Sequence, residues 1–576
     1  EICACLVGSE MCIRDRYPTK VCKSVARKAA FISSTIQFLS NSDMKFLQIP
    51  SLLLASTLMA APCVAQEVKV AVFSINDFHG AFVRNDFKGI PGAPAVLQTL
   101  DSLKQVYPYN VTVSAGDAFG GSYFYKATQG QLMPVFFNEA GIRISALGNH
   151  EFDDGVRSLT KKWSNLPQKP KDWDLTYVCA NMRSTSSGQI PDFAQPVASV
   201  PVKLPGGKTF RVAFAGLITS STPQQTSKRN VNGLTFDGNY PAVLDSVMKL
   251  PEHTLIDDAH LRLLLTHIGS RTNEDGQPVW DDKDRENLSR LNATIWDGFI
   301  SAHSHQPVCG RINAAQYPIV QAQSHGNYIS MLLCTVDTKR MVVTDVEPNL
   351  IRVTPKKVLE PRAARMQAQI DSLLQNTRTK GGTPLGEVLT MAKNDLPHNR
   401  NKKWRQTEMG TLVCKAFAET YRQHAKLPDD AVIIGMSHIG SIRAGLTKGP
   451  VSVLEVGEAL PFANRMKVYE LTGKQLFELV DFGLHNKVYG WLQLGNAIAT
   501  CNKAGNLEAV IYCNGKGKRQ VLQPKGKYII VTDEFITSGG DGYNPSLFPA
   551  NQEIKVEGLP YTTDAFINYL RQQPEI

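Results

Sequence analysis

The sequence lacks the features that mark several large classes of protein. Its 576 residues contain no internal repeat and no low-complexity tract, so a repeat or fibrous architecture is not indicated. The formal net charge is only +10, and no dense Lys/Arg block with interleaved aromatic residues is present. A charge excess of this size is typical of a solvated surface and suits small anionic substrates. We therefore predict no polynucleotide partner.

Long apolar runs are also scarce. The run Ile49–Ala60 is too short for a confident membrane span, and a cleavage pattern follows it closely. Residues 44–65 start with Met and Lys, continue into this run and end in a small residue before Gln66, as secretion signals do. Cys63 could carry a lipid anchor, but Pro62 before it fits a lipidation motif poorly. We predict a signal peptide at 44–65, no membrane span and a periplasmic or secreted protein.

Cysteine patterns typical of metal sites are missing. Residues 1–43 precede the signal, begin at Glu1 rather than methionine and show no periodicity, so we predict a non-native upstream extension. After the signal, no CxxC pair occurs, and a cysteine metal site is not indicated. Cys501 and Cys513 flank a Gly-, Asn- and Lys-rich hairpin and could form a disulfide in an oxidising compartment, with burial as free thiols as the alternative.

Metal-binding residue types follow five strand-like runs in the first half of the chain. The runs and the residues after them are Val68–Ile75 with Asp77 and His79, Val111–Val113 with Asp117, Ile142–Leu147 with Asn149 and His150, His260–Thr266 with His267, and Ile295–Ile300 with His303 and His305. Helical spacing between several of these runs predicts a layered α/β domain. Because open α/β sheets place ligands at the carboxyl ends of strands, we expect these side chains to converge.

The segment after the third run combines three chemical roles within five residues. Asn149 offers a neutral oxygen to a metal, and His150 offers a proton donor. Asp153 can accept from the second ring nitrogen and hold that ring in one tautomer. A turn with a helix N-cap is the alternative for an isolated segment, but the other four strand ends favour a site.

The strand-end residues other than His150 form a mixed oxygen and nitrogen ligand set of two Asp, one Asn and four His. Such a set suits Mn, Zn, Fe or Co rather than a calcium cage. Seven ligands are too many for one ion and fit two ions that share a carboxylate. Two ions about 3.5–4 Å apart can clamp a phosphoryl group and lower the pKa of bound water from about 15.7 towards 7.

The sequence pattern changes after residue 350. Arg362–Leu374 has the spacing of a charged amphipathic helix, and Gly381-Gly382 follows it as a connector. We therefore predict a first domain at 67–350, a linker helix or hinge at 351–382 and a second domain at 383–576.

Ten motifs in order then give a family resemblance. INDFHG, AGDAFGGS, ALGNHEFDDG, THIG and AHSHQP resemble the five signatures of the calcineurin-like metallophosphoesterases. RQTEMGTLVCKA, IGSIRAG, LPFANRM, LTGKQL and SGGDGY resemble the 5′-nucleotidase C-terminal domain. Nearly everything after residue 67 is similar to the secreted 5′-nucleotidases, which include bacterial UDP-sugar hydrolases. The resemblance implies a four-layer α/β-β/α sandwich followed by a second, mixed α+β domain.

The resemblance also implies a role for each ligand. One of two divalent ions (Mn, Zn, Co or Fe) would be held by Asp77, His79 and His305, the other by Asn149, His267 and His303, and both by Asp117. His150 with Asp153 would be the dyad that stabilises phosphoryl transfer and assists the leaving oxygen.

The second domain is implied to bind the substrate. Phe462 and Phe535 would sandwich a base, because aromatic stacking grips any base without reading it. Asp541 would take the ribose hydroxyls, while Arg405 and Arg443 would pair with phosphate or adjacent polar groups. The alternatives are that the phenylalanines belong to the core and that the Gly-Gly-Asp-Gly segment is only a turn.

This chain departs from the family pattern at two places. His438 stands where an asparagine usually contacts the base, and Ile439 and Ser441 replace glycines. Base preference is therefore left open. Ser301-Ala302 replace a glycine pair before His303, with no loss of a side-chain ligand.

The implied function is hydrolysis of nucleoside 5′-monophosphates to nucleoside and phosphate by a metal-activated water, with rotation of the two halves about the linker. Alternatives on the same scaffold are a UDP-sugar hydrolase or a 2′,3′-cyclic nucleotide phosphodiesterase. A surface binding protein without catalysis is a further alternative, which the complete ligand set and the dyad disfavour. Oligomeric state is not indicated by the sequence.

Overall fold

The computed structural model describes residues 67–86, 88–156, 174–281, 284–291, 295–398, 406–428, 431–462, 464–485, 492–513, 517 and 519–576. The predictions for residues 1–43, for the signal peptide at 44–65 and its Cys63, and for Arg405 lie outside these ranges.

The first half of the chain contains two six-stranded sheets. The first sheet has the order β16-β15-β1-β2-β3-β4. Its strands are β1 (Glu67–Ile75), β2 (Asn110–Ser114), β3 (Ile142–Ala146), β4 (Thr176–Val178), β15 (Tyr328–Asp337) and β16 (Val342–Arg352). Strands β1 to β4 are parallel, whereas β15 and β16 pair antiparallel. The carboxyl ends of β1, β2 and β3 therefore meet at one edge.

The second sheet has the order β13-β14-β12-β9-β7-β6. Its strands are β6 (Val197–Lys203), β7 (Thr209–Ile218), β9 (Leu261–His267), β12 (Gly298–Ile300), β13 (Pro307–Ile312) and β14 (Tyr317–Ala322). Here β7, β9, β12 and β14 are parallel. Two small sheets pair β5 (Met182–Ser184) with β8 (Leu234–Phe236) and β10 (Ser270–Thr272) with β11 (Pro278–Trp280).

The two large sheets pack face to face, and helices cover their outer faces. Alternate residues of β1 point to opposite sides, so Val70 joins the core between the sheets with Leu263, while Phe73 joins Phe136 in the outer layer. Burial on both faces explains why β1 is a nearly continuous apolar run. The helices are α1 (Ala93–Val106), α2 (Tyr123–Ala127), α3 (Met133–Ala140), α4 (Thr222–Gln225), α5 (Tyr240–Val247), α6 (Thr254–Asp257) and α7 (Arg285–Ser289). The predicted four-layer arrangement is confirmed.

The second half begins after α8 (Pro361–Asn376) and is a mixed α+β fold, as predicted. Its main sheet has the order β20-β25-β18-β21. The strands are β17 (Val388–Ala392), β18 (Ile433–His438), β19 (Gly449–Ser452), β20 (Met466–Thr472), β21 (Leu492–Gly495), β22 (Ala497–Cys501), β23 (Leu507–Cys513), β24 (Arg519–Val521) and β25 (Lys527–Asp533). The helices are α9 (Glu408–His424), α10 (Val453–Ala459), α11 (Gly473–His485), α12 (Glu534–Thr537) and α13 (Thr562–Arg571).

Helices cover both faces of this sheet. Phe417 of α9 lies in one core cluster with Ile433, and Leu476 of α11 lies in the other with Ile434. Because Ile433 and Ile434 are consecutive strand residues, they point to opposite faces. The sheet is therefore sandwiched between the two helices.

Two predictions about special segments can be checked against this fold. Cys501 and Cys513 are free thiols at opposite ends of an antiparallel strand pair, where Cys501 lies opposite Leu507 and the Cys513 N–H donates to Asn496. Cys501 and Cys513 are therefore free thiols in the structure rather than a disulfide. Among the helices that the structure describes, none has both the length and the apolar composition that a bilayer crossing requires.

Candidate metal centre

The loops that follow the parallel strands carry all seven predicted ligands to one edge of the two sheets. Five of these ligands have left-handed backbones, namely Asp77 (φ 48°), His79 (φ 51°), Asp117 (φ 50°), His303 (φ 76°) and His305 (φ 57°). Residues other than glycine rarely adopt this conformation, and strain of this kind clusters at functional sites. The concentration of strained residues at one edge sets it apart from an ordinary set of turns.

One group of side chains consists of Asp77, His79 and His305. The Nε2 atoms of His79 and His305 lie 2.9 Å apart, and the His305 Nε2 is 3.3 Å from an oxygen of Asp77. The Nδ1 atom of His79 lies 3.3 Å from the backbone oxygen of Phe119. If that nitrogen carries the proton, the Nε2 lone pair points into the group, as a metal ligand requires.

A second group consists of Asp117, His267 and His303. The His267 Nε2 lies 3.1 Å from Asp117 and 3.2 Å from the His303 Nδ1, while its own Nδ1 faces the Ala115 oxygen at 2.9 Å. Asp117 also lies 4.0 Å from the His79 Nε2 of the first group. Asp117 thus belongs to the second group and also reaches the first.

The third ligand type is an amide oxygen. The Oδ1 atom of Asn149 is buried and accepts no hydrogen bond from any residue that the structure describes. A buried polar atom left in this state costs about 1–3 kcal/mol. This oxygen, the converging histidine nitrogens and the two buried carboxylates fit the donor set of a cation pair.

Burial and neighbouring charges set the protonation of the residues in the site. Burial lowers the pKa of His79, and burial together with the charge of His267 lowers the pKa of His303 to about 4, so both rings are neutral. Burial alone would raise the pKa of Asp77, but its hydrogen bond to His305 and the charges of His267 and His305 together outweigh this and lower it. Burial would lower the pKa of His267, but Asp117 outweighs it and raises the value to about 10. The carboxylates thus stay ionised and attract positive charge.

His150 and Asp153 form the predicted dyad beside these groups. The His150 Nδ1 is 2.7 Å from an Asp153 oxygen, and the His150 ring meets the His79 ring edge-on at 4.9 Å. Burial opposes protonation, but the hydrogen bond to Asp153 and the charge of Asp117 outweigh it and raise the pKa of His150 to about 9. In a protonated ring, Nδ1 donates to Asp153. The other nitrogen, Nε2, is then the one that can donate a proton to a substrate.

Sequence reasoning missed three side chains around the site. The Gln225 Nε2 lies 2.9 Å from the His303 Nε2 and fixes that ring, and Glu151 accepts hydrogen bonds from the ligand loops. His325, whose ring lies 5.4 Å from that of His79, lines a cavity of about 460 Å³ between the two halves. Gln225 and His325 have no motif signal, whereas Glu151 lies inside the GNHE segment.

Three of the predicted substrate residues come together in the second half, around the ring of His438. The His438 ring stacks on Phe535 at 5.2 Å, and its Nδ1 lies 3.3 Å from Asp541. Gly540 lies against Phe535, since a Cβ at residue 540 would come within 2.5 Å of the ring. His438 itself is buried, at 3% exposure.

The remaining described substrate residues form a separate contact. The Arg443 guanidinium carbon lies 5.7 Å from the centre of the Phe462 ring, and Phe462 is exposed. Contacts between the halves lie elsewhere, where Glu458 accepts from the Tyr123 backbone at 2.7 Å and pairs with Lys88 at 3.2 Å. Delivery of a substrate from this region to the metal centre stays a prediction.

Known proteins resemble this chain over both halves. Residues 71–307 match the profile of the calcineurin-like phosphoesterases, and residues 387–547 match the 5′-nucleotidase C-terminal domain. An apyrase of Tabanus yao is 21% identical, with 92% of this chain and 97% of the apyrase aligned. Endonuclease YhcR of Bacillus subtilis (strain 168) is 23% identical over 87% of this chain, which spans 40% of the length of YhcR.

A solved structure agrees with the fold. The crystal structure of a 5′-nucleotidase precursor from Thermus thermophilus superposes with a TM-score of 0.56 at 22% identity, covering 88% of this chain and 97% of that one. At this identity the match supports the arrangement of both halves rather than a particular substrate.

The unpartnered Asn149 oxygen generates a stability prediction. In chelator-treated protein, Asn149→Ala should leave the melting temperature unchanged or raise it, because it removes a buried group that costs about 1–3 kcal/mol. In the same variant, the rise in melting temperature on adding Mn²⁺ should shrink, because one ligand is lost. Both quantities are measurable by differential scanning fluorimetry.

Asn181 is the matched control, because it is buried and its side chain is fully bonded to Ile218 and Asp237. Asn181→Ala should lower the melting temperature with and without Mn²⁺ while keeping the metal-dependent rise. An Asn149→Ala variant that behaves like Asn181→Ala would contradict a ligand role.

Proposed function

Because this chain belongs to the proteins that join a calcineurin-like phosphoesterase domain to a 5′-nucleotidase C-terminal domain, we propose that it hydrolyses nucleoside 5′-monophosphates with two divalent metal ions. The observation that carries this proposal is the convergence of the two ligand groups on Asp117. A shared carboxylate between two ligand groups supports two ions rather than one.

The ligands divide between the ions by their contacts. One ion would be held by Asp77, His79 and His305, the other by Asn149, His267 and His303, and Asp117 would serve both. When bound, such ions polarise a phosphoryl group and lower the pKa of water, so that hydroxide is available near neutral pH. Mn, Zn, Co and Fe all suit these ligands.

The dyad completes the proton balance of the reaction. A water oxygen bonds to phosphorus, the bond from phosphorus to the 5′ oxygen breaks, and the leaving oxygen needs a proton. His150 donates that proton from Nε2, because its Nδ1 is held by Asp153. Asp153 keeps the ring in its orientation through this bond. The Asp153 backbone is itself held by Asn230, whose side chain donates to it at 2.6 Å.

The second half supplies the grip on the nucleoside. Phe535 and Phe462 present exposed ring surface on which a base can stack. Asp541 contacts His438, whose ring stacks on Phe535, and is the proposed acceptor of hydrogen bonds from the ribose hydroxyls. Arg443, near Phe462, and Arg405 are the proposed partners of phosphate or adjacent polar groups. A periplasmic or secreted location, proposed from residues 44–65, would expose the enzyme to extracellular nucleotides.

A substrate panel tests the proposal and its rivals together. With Mn²⁺ present, we expect kcat/KM for AMP to exceed that for UDP-glucose, 2′,3′-cyclic AMP and single-stranded RNA. A highest value for UDP-glucose or for the cyclic ester would instead identify one of the two alternatives on this scaffold. Preferred cleavage of RNA would overturn the prediction that no polynucleotide binds, and no turnover at all would indicate a binding protein.

Removing the proton donor should separate catalysis from metal binding. His150→Ala should lower kcat for AMP by about 10²- to 10⁴-fold, the usual contribution of a positioned acid. Metal content, measured by mass spectrometry of the purified protein, should not change. The control is His253→Ala, which removes another histidine–aspartate pair at 3.5 Å on the surface and should leave kcat unaltered. Equal activity of His150→Ala and the native protein would refute the role of the dyad.

The stacking role of Phe535 predicts a loss that depends on the substrate. Phe535→Ala should raise KM for AMP by roughly 5- to 100-fold, since base stacking contributes about 1–3 kcal/mol. Hydrolysis of a small aryl phosphate should change far less, because that substrate carries no nucleoside. Phe477→Ala, which removes another exposed phenylalanine, is the control and should alter neither substrate. Similar losses on both substrates in Phe535→Ala would argue against stacking.

A further inference from the structure

Glu151 is a buried acid that the proposed reaction does not use. Its side chain is buried, at 4% exposure, and accepts hydrogen bonds from four backbone N–H groups. One oxygen, Oε2, accepts from Gly148 at 2.6 Å and from Asp117 at 2.8 Å. The other, Oε1, accepts from Ala118 at 2.8 Å and from Phe119 at 3.4 Å.

These N–H groups belong to two different ligand loops. The loop after β2 carries Asp117, which belongs to one ligand group and reaches the other, and the loop after β3 carries Asn149. Oε2 of Glu151 joins the two loops directly through a single atom. The loops also touch at Gly148, where a Cβ would lie 2.2 Å from an Asp117 oxygen. The relative position of Asp117 and Asn149 therefore depends on this carboxylate.

An ordinary packing role does not account for an acid at this place. Glu151 lies beside a second buried carboxylate, Asp117, so the site disfavours another negative charge. A buried carboxylate costs free energy unless fixed donors compensate it, and an apolar side chain could fill the same space more cheaply. The four N–H donors supply that compensation, and they lie on the ligand loops themselves.

We propose that Glu151 is a positioning residue that holds Asp117 and Asn149 in their metal-binding arrangement before the ions arrive. This inference rests on the proposed function in one respect, namely that the two groups bind metal. Glu151 contacts neither substrate nor ion in this role. It acts through the backbone, as outer residues do when they orient metal ligands.

Glu151→Gln would preserve the shape of the side chain and abolish its role in positioning the two loops. A carboxylate has two oxygens and therefore accepts from both pairs of N–H groups, whereas a carboxamide has one oxygen and one NH₂ group. In Glu151→Gln, one pair of backbone donors would face another donor. Asp117 and Gly148 would then lose their common acceptor, or Ala118 and Phe119 would lose theirs.

The test compares Mn²⁺ affinity in variants by isothermal titration of the chelator-treated full chain. Glu151→Gln should bind Mn²⁺ about 10- to 100-fold more weakly than the native protein, the usual effect of removing such a residue. Glu455→Gln is the matched control, because Glu455 also accepts from backbone N–H, at Ser452, in the capping box of α10. This control should keep native affinity. Native affinity in a folded Glu151→Gln protein would overturn the inference.

A second measurement needs no variant. In chelator-treated native protein, hydrogen exchange should be slow at the Asp117, Ala118 and Gly148 amides, because Glu151 already accepts from them. Fast exchange there, with the neighbouring strands protected, would overturn the inference even if Glu151→Gln failed to fold.

Glu151→Asp, which keeps both oxygens but is shorter, should restore part of the Mn²⁺ affinity lost in Glu151→Gln.

The outcomes separate this inference from the proposed function. If the native protein binds none of Mn²⁺, Zn²⁺, Co²⁺ and Fe²⁺, both are wrong. If it binds Mn²⁺ and hydrolyses no nucleotide, the proposed function is wrong, and the role of Glu151 is still decided by the affinity and exchange measurements.

Discussion

Two carboxylates buried at one sheet edge determine the organisation of the site. Asp77 and Asp117 are 0% and 2% exposed, and in the described part of the chain their ion-pair partners are histidines. Burying an ion costs several kcal/mol, and the protonated His267 beside Asp117 offsets part of that cost. Cations between the carboxylates and the histidine nitrogens would supply further compensation and displace the proton from His267.

The layered fold is what keeps these charges in place. Parallel strands from both sheets end at the same edge, so β1, β2 and β3 contribute ligands from one sheet, and β9 and β12 contribute them from the other. The apolar core between the sheets fixes the strand ends, and the loops then adopt strained left-handed backbones. Contacts with the backbone oxygens of Ala115 and Phe119 and with the Gln225 side chain set the histidine rings. The rigid core therefore holds the proposed ligand side chains in fixed positions.

Much of this could be predicted because the ligands lie in the sequence next to the strands that position them. Strand ends with Asp, Asn or His are visible in the sequence, and the fold brings the Asp and His side chains into adjoining groups, while the ligand roles stay a prediction. The predicted helix Arg362–Leu374 lies within α8, and the predicted strand Ile295–Ile300 is only Gly298–Ile300. Strand β7, which lies next to the edge strand β6 of the second sheet, was missed, since it contributes no predicted ligand.

The contacts that could not be predicted are those made by backbone atoms and by residues distant in sequence. Gln225 reaches His303 across 78 residues, and nothing in its own segment marks it. Glu151 was visible inside a motif, but its partners are backbone amides, which every residue except proline has, so no spacing rule reveals them.

His438 shows the same limit in the second half. Its departure from the family pattern was evident, whereas its burial against Phe535 and Asp541 follows only from the fold. With its ring stacked on Phe535, His438 supports the surface that would grip a base and presents little of its own edge to it. Selection among bases would then depend on stacking more than on hydrogen bonds from residue 438.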